Sequence, residues 1–340
     1  MLPTCDRGSC GSETGWRGGV VGYVLRRLVQ MGPMLLGASL LIFLVVRMAP
    51  GDPLAAMVDP RMDPQKMEEM RARLCLDCPV LVQYWGWLKE VLRGDLGTSI
   101  RFQVPVAELI GARLGPTILL GMAAFGVTYL VGIPLGVLTA VRRHSWLELT
   151  VTVLSFAALS MPAFFFGLLL LKLFALGGLR ILPSSGMITP GAPYRGAAAM
   201  LDVASHLVLP ALALGLSGVA GLVRYVRASM VEVLRQDYVR TARAKGLAEK
   251  QVIYRHALRN GLIPVVTLVG LTLPDIVGGA ILTESIFVWP GVGRLTYTAL
   301  LERDYPVLMA LNLLFAGMVM LGSLAADVGY ALVDPRVRYE

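Results

Sequence analysis

Six apolar runs, each close to the length a helix needs to cross a lipid bilayer, constrain this chain more than any other feature. They are Leu28 to Val46, Thr117 to Val141, Leu149 to Leu171, Ala204 to Val223, Gly261 to Leu282 and Pro306 to Ala326. The hydrocarbon core is about 30 Å thick and a helix rises ~1.5 Å per residue, so one crossing takes about 20 residues. Backbone amides find no water there, so each run must satisfy its own hydrogen bonds, which favours helices over an open sheet. Barrel strands would alternate in ~10-residue segments, and the sequence shows no such alternation. Composition agrees: 56% of the 340 residues are hydrophobic and 16% are charged, against roughly 25% charged in a soluble domain, and the mean hydropathy is +0.66. The expected fold class is all-α, a polytopic membrane protein with six transmembrane helices.

Orientation follows from the excess of Lys and Arg in cytoplasmic loops of membrane proteins. With the N-terminus inside, the cytoplasmic parts take Arg7, Arg17, Arg26, Arg27, Arg142, Arg143, the basic stretch from Arg224 to Arg259, Arg336 and Arg338. Together these are more than half of the 31 basic residues. The short outer loops hold only Arg180, Arg195, Arg294 and Arg303, so both termini are expected in the cytoplasm. The net charge of +8 is concentrated on that inner surface, which suits anionic lipid headgroups and a protein partner. No aromatic-interleaved basic face supports nucleic acid as a partner. The resulting division is a cytoplasmic tail 1–27, a first transmembrane helix 28–47, an extracytoplasmic segment 48–113 with amphipathic helices, a five-helix core 114–333 with a polar break 224–260, and a C-terminal tail 334–340. Arg26-Arg27 before a long apolar run, with no clear small-x-small site after it, reads as an uncleaved first helix and not a signal peptide.

The outer segment carries its own helix signals. Asp63-Pro64 is an N-cap followed by proline, with Met67, Met70 and Leu74 on one face behind it. Further on, Leu81, Tyr84, Trp85, Leu88, Val91 and Leu92 form a second stripe whose aromatic content suits a membrane interface. These helices either bind a partner or cap the bundle. Cys75 and Cys78 form a C-x-x-C that is either incidental or disulfide-paired. A zinc site would need two more ligands, and His144, His206 and His256 are far away in sequence, so no metal site is expected.

Close helix approach is signalled by Gly132-x-x-x-Gly136, Ser217-x-x-x-Gly221 and Gly278-Gly279, and bends by Pro134, Pro162, Pro264 and Pro274. Asp275 lies well inside the fifth window, where an acid costs about 2.5–3.5 kcal/mol on insertion scales, so it should face other helices or water. It either lines a path for a cationic group or pairs with a polar neighbour. Glu284, at the outer end of that helix, either gates a path or anchors the Trp-Pro-Gly turn after it.

The polar break holds Asp237-Tyr-Val-Arg-Thr-Ala-Arg-Ala-Lys-Gly246. Asp237 as N-cap and Gly246 as the C′ residue bound a helix of about eight residues, ~12 Å long. Arg240 and Arg243 share one face, and Thr241 and Ala244 form a smooth one beside it. Such a face suits insertion into a groove with carboxylates on its rim; otherwise it is a solvated basic loop.

That segment, continued by Leu247 and by Arg255-His-Ala-Leu-Arg-Asn-Gly-Leu-Ile-Pro264, resembles the cytoplasmic coupling loop of ABC importer permeases of the dipeptide, oligopeptide and nickel family. Further parts resemble the same family in the same order: Arg47-Met-Ala-Pro-Gly-Asp-Pro53, Gly94-Asp-Leu-Gly-Thr-Ser99, Glu284-Ser-Ile-Phe-Val-Trp-Pro-Gly-Val-Gly293, Asp304-Tyr-Pro306 and Tyr330-Ala-Leu-Val-Asp-Pro-Arg336. One departure is that Arg240-Thr241-Ala242 stand where the wider ABC loop pattern begins Glu-Ala-Ala, so no glutamate role carries over.

The resemblance implies a type I ABC importer permease fold in a prokaryotic inner membrane. It also implies a heterodimer with a second homologous permease, two ATP-binding subunits that use ATP and Mg, and an extracytoplasmic substrate-binding protein. Val239, Arg240, Thr241, Ala242, Arg243, Ala244, Lys245, Gly246 and Leu247 would then be the contact with the ATPases, and the cargo would be peptides, or else nickel, glutathione or another small solute. The chain has no G-x-x-x-x-G-K-[ST], H-E-x-x-H or G-x-S-x-G, so it is expected to be a transport subunit without cofactors or an ATPase site of its own. A secondary carrier using Asp275, and an intramembrane hydrolase using Asp275 and Asp327, are the rival classes.

Overall fold

The computed structural model of the chain describes residues 14–48, 78–278 and 281–333. Among the described residues the chain is helical, and the sole β pairing is an isolated antiparallel bridge between Thr98 and Pro105. The helices are α1 (Thr14–Met48), α2 (Val80–Leu92), α3 (Val106–Val141), α4 (Trp146–Ser160), α5 (Ala163–Leu171), α6 (Ala197–Val233), α7 (Asp237–Ala244), α8 (Glu249–Gln251), α9 (Leu258–Gly261), α10 (Ile263–Gly278), α11 (Ile281–Ile286), α12 (Val292–Glu302) and α13 (Tyr305–Val333). A π-type stretch, Lys172–Leu176, extends α5, and another, Val252–Ala257, joins α8 to α9. The helix expected from Asp63 to Leu74, Cys75, Gly279 and the tail 334–340 lie outside the described residues. Cys78 is in a disulfide.

Among the described residues four helices are long and apolar enough to cross a membrane: Val24–Met48, α3, α6 and Tyr305–Val328. The expected window Leu149 to Leu171 is not one straight crossing, because α4 and the extended α5 meet at an angle of 102°. The cause is Pro162, which offers no N–H to continue α4 and drives the residue before it out of the helical region. Met161 is accordingly extended, with φ −98° and ψ 131°. Counted as one broken span, the pair makes a fifth crossing. The fifth window yields α10, only 16 residues long, with the short α11 beyond residues 279–280. The second and fourth windows are longer than their apolar runs: α3 has 36 residues and begins within the segment assigned to the exterior, and α6 has 37.

The centre of the fold is the contact of α3 with α6, and small residues set its closeness. A Cβ on Gly132 would lie 2.9 Å from Leu222 Cδ2, and one on Gly136 would lie 2.6 Å from Val226 Cβ. From the other side, Gly215 faces Val127 and Gly218 faces Thr128. The Thr128 hydroxyl, 2.9 Å from the Gly215 carbonyl oxygen, donates to it across the interface. Ser217 and Gly221, expected to make such an approach, do not: Gly221 borders open space, and the Ser217 hydroxyl bonds its own helix at Leu214. The close-approach pair on α6 is displaced round the helix to Gly215 and Gly218. At the periphery α1 packs on α13, where Arg27 and Asp327 form an ion pair at 2.8 Å.

This packing yields a paired test. Gly136→Ala should push α3 and α6 apart at a cost of about 1–3 kcal/mol, whereas Gly126→Ala, where an added Cβ meets nothing within 4 Å, should leave stability unchanged. Thermal unfolding of the two variants in detergent checks this, and equal melting temperatures would contradict the packing.

Candidate translocation site

A cavity of about 800 Å³ lies between α3, α6, α10 and α13. Its wall includes Phe125 and Tyr129 of α3, Ser217 and Tyr225 of α6, Thr272 of α10 and Phe315 of α13, with Thr117 and Glu284 at one end. Gly121, Gly218 and Gly221 also line it, so backbone as well as side chains faces the space. The rings of Phe125 and Tyr129 stack at 4.2 Å, and the Tyr129 hydroxyl is 3.4 Å from that of Thr272, tying α3 to α10. Hydroxyls, aromatic faces and apolar surface equip such a space to hold a small solute reversibly.

At the Glu284 end the chain is closely hydrogen-bonded. Glu284 is wholly buried. The Thr117 hydroxyl donates to its Oε1 at 2.9 Å, and the Arg294 backbone N–H donates to its Oε2 at 2.9 Å. Thr117 Oγ1 in turn accepts the Val292 N–H at 2.7 Å. The Trp289 indole N–H donates to the Pro116 carbonyl at 2.9 Å, and its ring is fully buried beside Leu120 and Ala211. The turn wraps the carboxylate so closely that a Cβ on Gly293 would sit 3.0 Å from Glu284 Oε2, and one on Gly291 would be closer still. Val288 supplies the bend with φ +54°, a conformation that costs a β-branched residue about 1–3 kcal/mol and is sustained by the bonds around it. Glu284 thus binds both α3 and the backbone that follows the Trp-Pro-Gly turn, and it also borders the cavity. Asp275 falls on α10, and its side chain lies outside the described residues.

A second buried acid joins two motifs that are 205 residues apart. Ser99 Oγ donates to Asp304 Oδ2 at 2.5 Å, and the backbone N–H groups of Ile100 and Arg101 donate to the same carboxylate at 3.1 and 3.2 Å. Arg101 also pairs with Glu302 at 2.8 Å. The turn at 99–103 is thereby fixed to the loop between α12 and α13.

The basic segment in the polar break is a docked helix. Of the nine residues expected at the ATPase contact, Val239 and Ala242 point inward and pack with Val226 and Met230 of α6 and with Val252, Ile253 and Ala257. Arg240, Thr241, Arg243, Ala244, Lys245, Gly246 and Leu247 are exposed. Asp237 is the first helical residue and not the cap; Gln236 takes the flanking position without a side-chain cap bond, and an acid in the first turn still favours the helix dipole. Gly246 has φ +75°, the left-handed conformation that ends a helix, and its N–H reaches the Arg243 carbonyl at 2.9 Å. Arg243 is held more tightly than Arg240, which meets Asp237 of its own helix at 3.5 Å, because its guanidinium grips Glu249 with two bonds of 2.7 and 3.1 Å. The hydrogen bonds from Arg243 hold the Glu249 carboxyl below its usual range, and those to Glu249 raise Arg243. At the base of the knob, the Ser229 hydroxyl donates to the Gly261 carbonyl at 2.8 Å.

Two pairings had no signal in spacing or periodicity: Thr117 with Glu284, and Ser99 with Asp304. Each partner stands inside a motif or beside a proline that is visible in the sequence, but the pairing is a long-range fact. An ion pair between Arg227 of α6 and Glu148 of α4 was equally silent.

A bundle of long apolar helices with an internal cavity and an exposed short basic helix has the architecture of a transporter permease. Residues 132–339 match the family described as binding-protein-dependent transport system inner membrane component, and residues 20–118 match the N-terminal region model of that family. The chain is 42% identical to the oligopeptide transport system permease protein AppB of Bacillus subtilis over 318 residues, covering 93% of this chain and 99% of AppB. It is 40% identical to the dipeptide transport system permease protein DppB of Escherichia coli K12, covering 94% and 99% of the two chains. It is 39% identical to the glutathione transport system permease protein GsiC of Salmonella typhi, covering 94% and 100%. In fold it is similar to the MetNI methionine ABC transporter solved in inward-facing conformations, with a TM-score of 0.53 at 18% identity over 67% of this chain and 97% of that one. The chain therefore belongs to the family of binding-protein-dependent transport system inner membrane components.

The bonded cluster around Glu284 yields a double-mutant test. Glu284→Ala should cost about 1–3 kcal/mol for each buried donor left without its acceptor. Gly291→Ala should be strongly destabilising in the wild-type chain and far milder in Glu284→Ala, where the crowding carboxylate is gone. Melting temperatures of the four species measure the coupling, and additive effects would contradict the wrapped-carboxylate geometry.

Proposed function

We propose that this chain is one of two permeases of an ATP-driven importer for di- or oligopeptides in a prokaryotic inner membrane, with both termini in the cytoplasm. The observation that carries this reading is the nearly full-length likeness to permeases named for oligopeptide and dipeptide transport. In the proposed machine an extracytoplasmic binding protein delivers the peptide. A second, homologous permease completes the cavity, and two ATP-binding subunits, which hold the ATP and Mg, close and push on α7 and its counterpart. The exposed face Arg240, Thr241, Ala244, Lys245, Gly246 and Leu247 is the proposed contact, with Val239 and Ala242 as its internal footing. Small residues there permit close approach, and Arg240 has the reach to meet a carboxylate on the groove rim. The similarity to GsiC supports a second reading of the cargo, glutathione, itself a small peptide-like solute. The six-crossing count belongs to this proposal, with α10 and α11 together making the crossing that α10 alone is too short to make.

Co-purification tests the reading. The wild-type chain should bring down a second permease and an ATPase subunit, and reconstituted complex should hydrolyse ATP faster with loaded binding protein. Arg240→Glu, Ala244→Glu and Gly246→Glu should each lose the ATPase subunit or its stimulation by at least tenfold, a change of about 1.4 kcal/mol in the contact. Solute uptake by the chain alone, without ATP, would overturn the proposal in favour of a secondary carrier.

A further inference from the structure

Helix α2 belongs to the segment that the sequence assigns to the exterior, yet its contacts lie on the middle of α1 and not at its outer end. The Tyr84 hydroxyl is 2.9 Å from Ser39 Oγ and 3.3 Å from the Leu36 carbonyl oxygen. The Phe43 ring meets Tyr84 at 5.6 Å and Trp87 at 5.9 Å, and Leu88 and Met309 complete the cluster. The apolar part of α1 is bracketed by Arg27, which pairs with Asp327, and by Arg47. Ser39 is eight residues inside Arg47, which at 1.5 Å per residue puts it ~12 Å below that end, well within hydrocarbon ~30 Å thick.

The direction of α2 is readable from the same contacts. Tyr84 reaches back to Leu36 and Ser39 as well as meeting Phe43, whereas Trp87, nearly one turn later, meets Phe43. As α2 advances, its footing on α1 moves outward, so its N-terminal end is the deeper one. Polarity follows this tilt. From Val80 to Leu88 the helix has no charged residue, whereas Lys89, Glu90 and Arg93 follow at its outer end, and Glu90 and Arg93 pair with each other in the open. The amphipathic stripe itself divides: Tyr84 and Leu88 are buried on α1, while Leu81 is 65%, Trp85 56% and Leu92 77% exposed. Leu81, Val82 and Trp85 are exposed, as are Leu36, Leu41 and Val45 on the α1 helix that α2 packs against, an apolar surface of the kind a membrane protein presents to lipid.

We propose that α2 is a lipid-binding element, a tilted helix sunk N-terminus first into the outer leaflet, with Leu81, Val82 and Trp85 against acyl chains and Lys89, Glu90 and Arg93 at the headgroups. An apolar-to-charged gradient along a helix axis matches the gradient across a leaflet, and an aromatic residue near the boundary suits the interface. Hydrocarbon depth also accounts for the Tyr84 hydroxyl, which finds partners on α1 where no water is present.

Tryptophan quenching in proteoliposomes tests this. The complex is reconstituted in phosphatidylcholine brominated along the acyl chains and compared with the same complex in unbrominated lipid plus acrylamide. The Trp85 signal, taken as the difference between wild type and Trp85→Phe, should be lost in brominated lipid and retained in acrylamide. Leu81→Trp placed in the Trp85→Phe background should restore a lipid-quenched signal, which guards against misfolding of a single variant. Quenching by acrylamide and not by brominated lipid would place the face in water, and protection from both would place it against a protein partner; either result overturns the proposal.

Discussion

Everything at one end of the molecule depends on the footing of α7. Two small apolar side chains, Val239 and Ala242, are driven into the cleft between the end of α6 and the stretch around Val252, Ile253 and Ala257. Because Val226 and Met230 belong to the same cluster, α7 stands on the same 37-residue helix that carries Ser217, Gly221 and Tyr225 into the cavity wall. A packed interior is stiff, so force applied to the exposed face of α7 has a continuous solid path into α6. The close α3–α6 contact extends that path, since Val226 is also the residue that Gly136 accommodates.

The opposite end adds a second device to its apolar packing. There the chain relies on buried carboxylates that gather donors from distant segments: Glu284 binds Thr117 and the backbone at Arg294, and Asp304 binds Ser99 and two backbone amides. Hydrogen bonds to a charged acceptor are stronger than neutral ones, and here they tie the loops to the apolar cluster of Val106, Leu109, Val292, Leu295, Val307 and Leu311. The cavity thus lies between a hydrophobic joint on one side and a hydrogen-bonded cluster on the other. On the proposed function, the joint receives the push and the bonded cluster defines the opposite limit of the solute's path.

Much of this was legible in the residues. The apolar windows located the long helices, Gly246 located the end of α7, and the exposed arrangement of Arg240, Thr241 and Ala244 followed from helical periodicity. Local signals failed where a single residue or a distant partner decided the outcome. Met161-Pro162 turned one apolar window into two helices at 102°, because hydropathy registers length and not backbone geometry. Ser217 and Gly221 have the spacing of a packing motif but face the cavity, since spacing alone does not tell which side of α6 meets α3. Arg243 looked free to serve a partner until Glu249, brought round by the turn at Gly246, claimed it. The acid clamps at Glu284 and Asp304 were visible only as motifs, because their partners lie more than 160 residues away in the chain.

The central claim is that α7 and α6 move as one body. Spin-label distances between Arg240 and Glu232, and between Tyr225 and the facing cavity wall of the second permease, measured with and without trapped ATP in the reconstituted complex, test it most directly. The account predicts an unchanged separation for the first pair and a shifted one for the second. A knob that swings relative to α6 while the cavity distance stays fixed would contradict it.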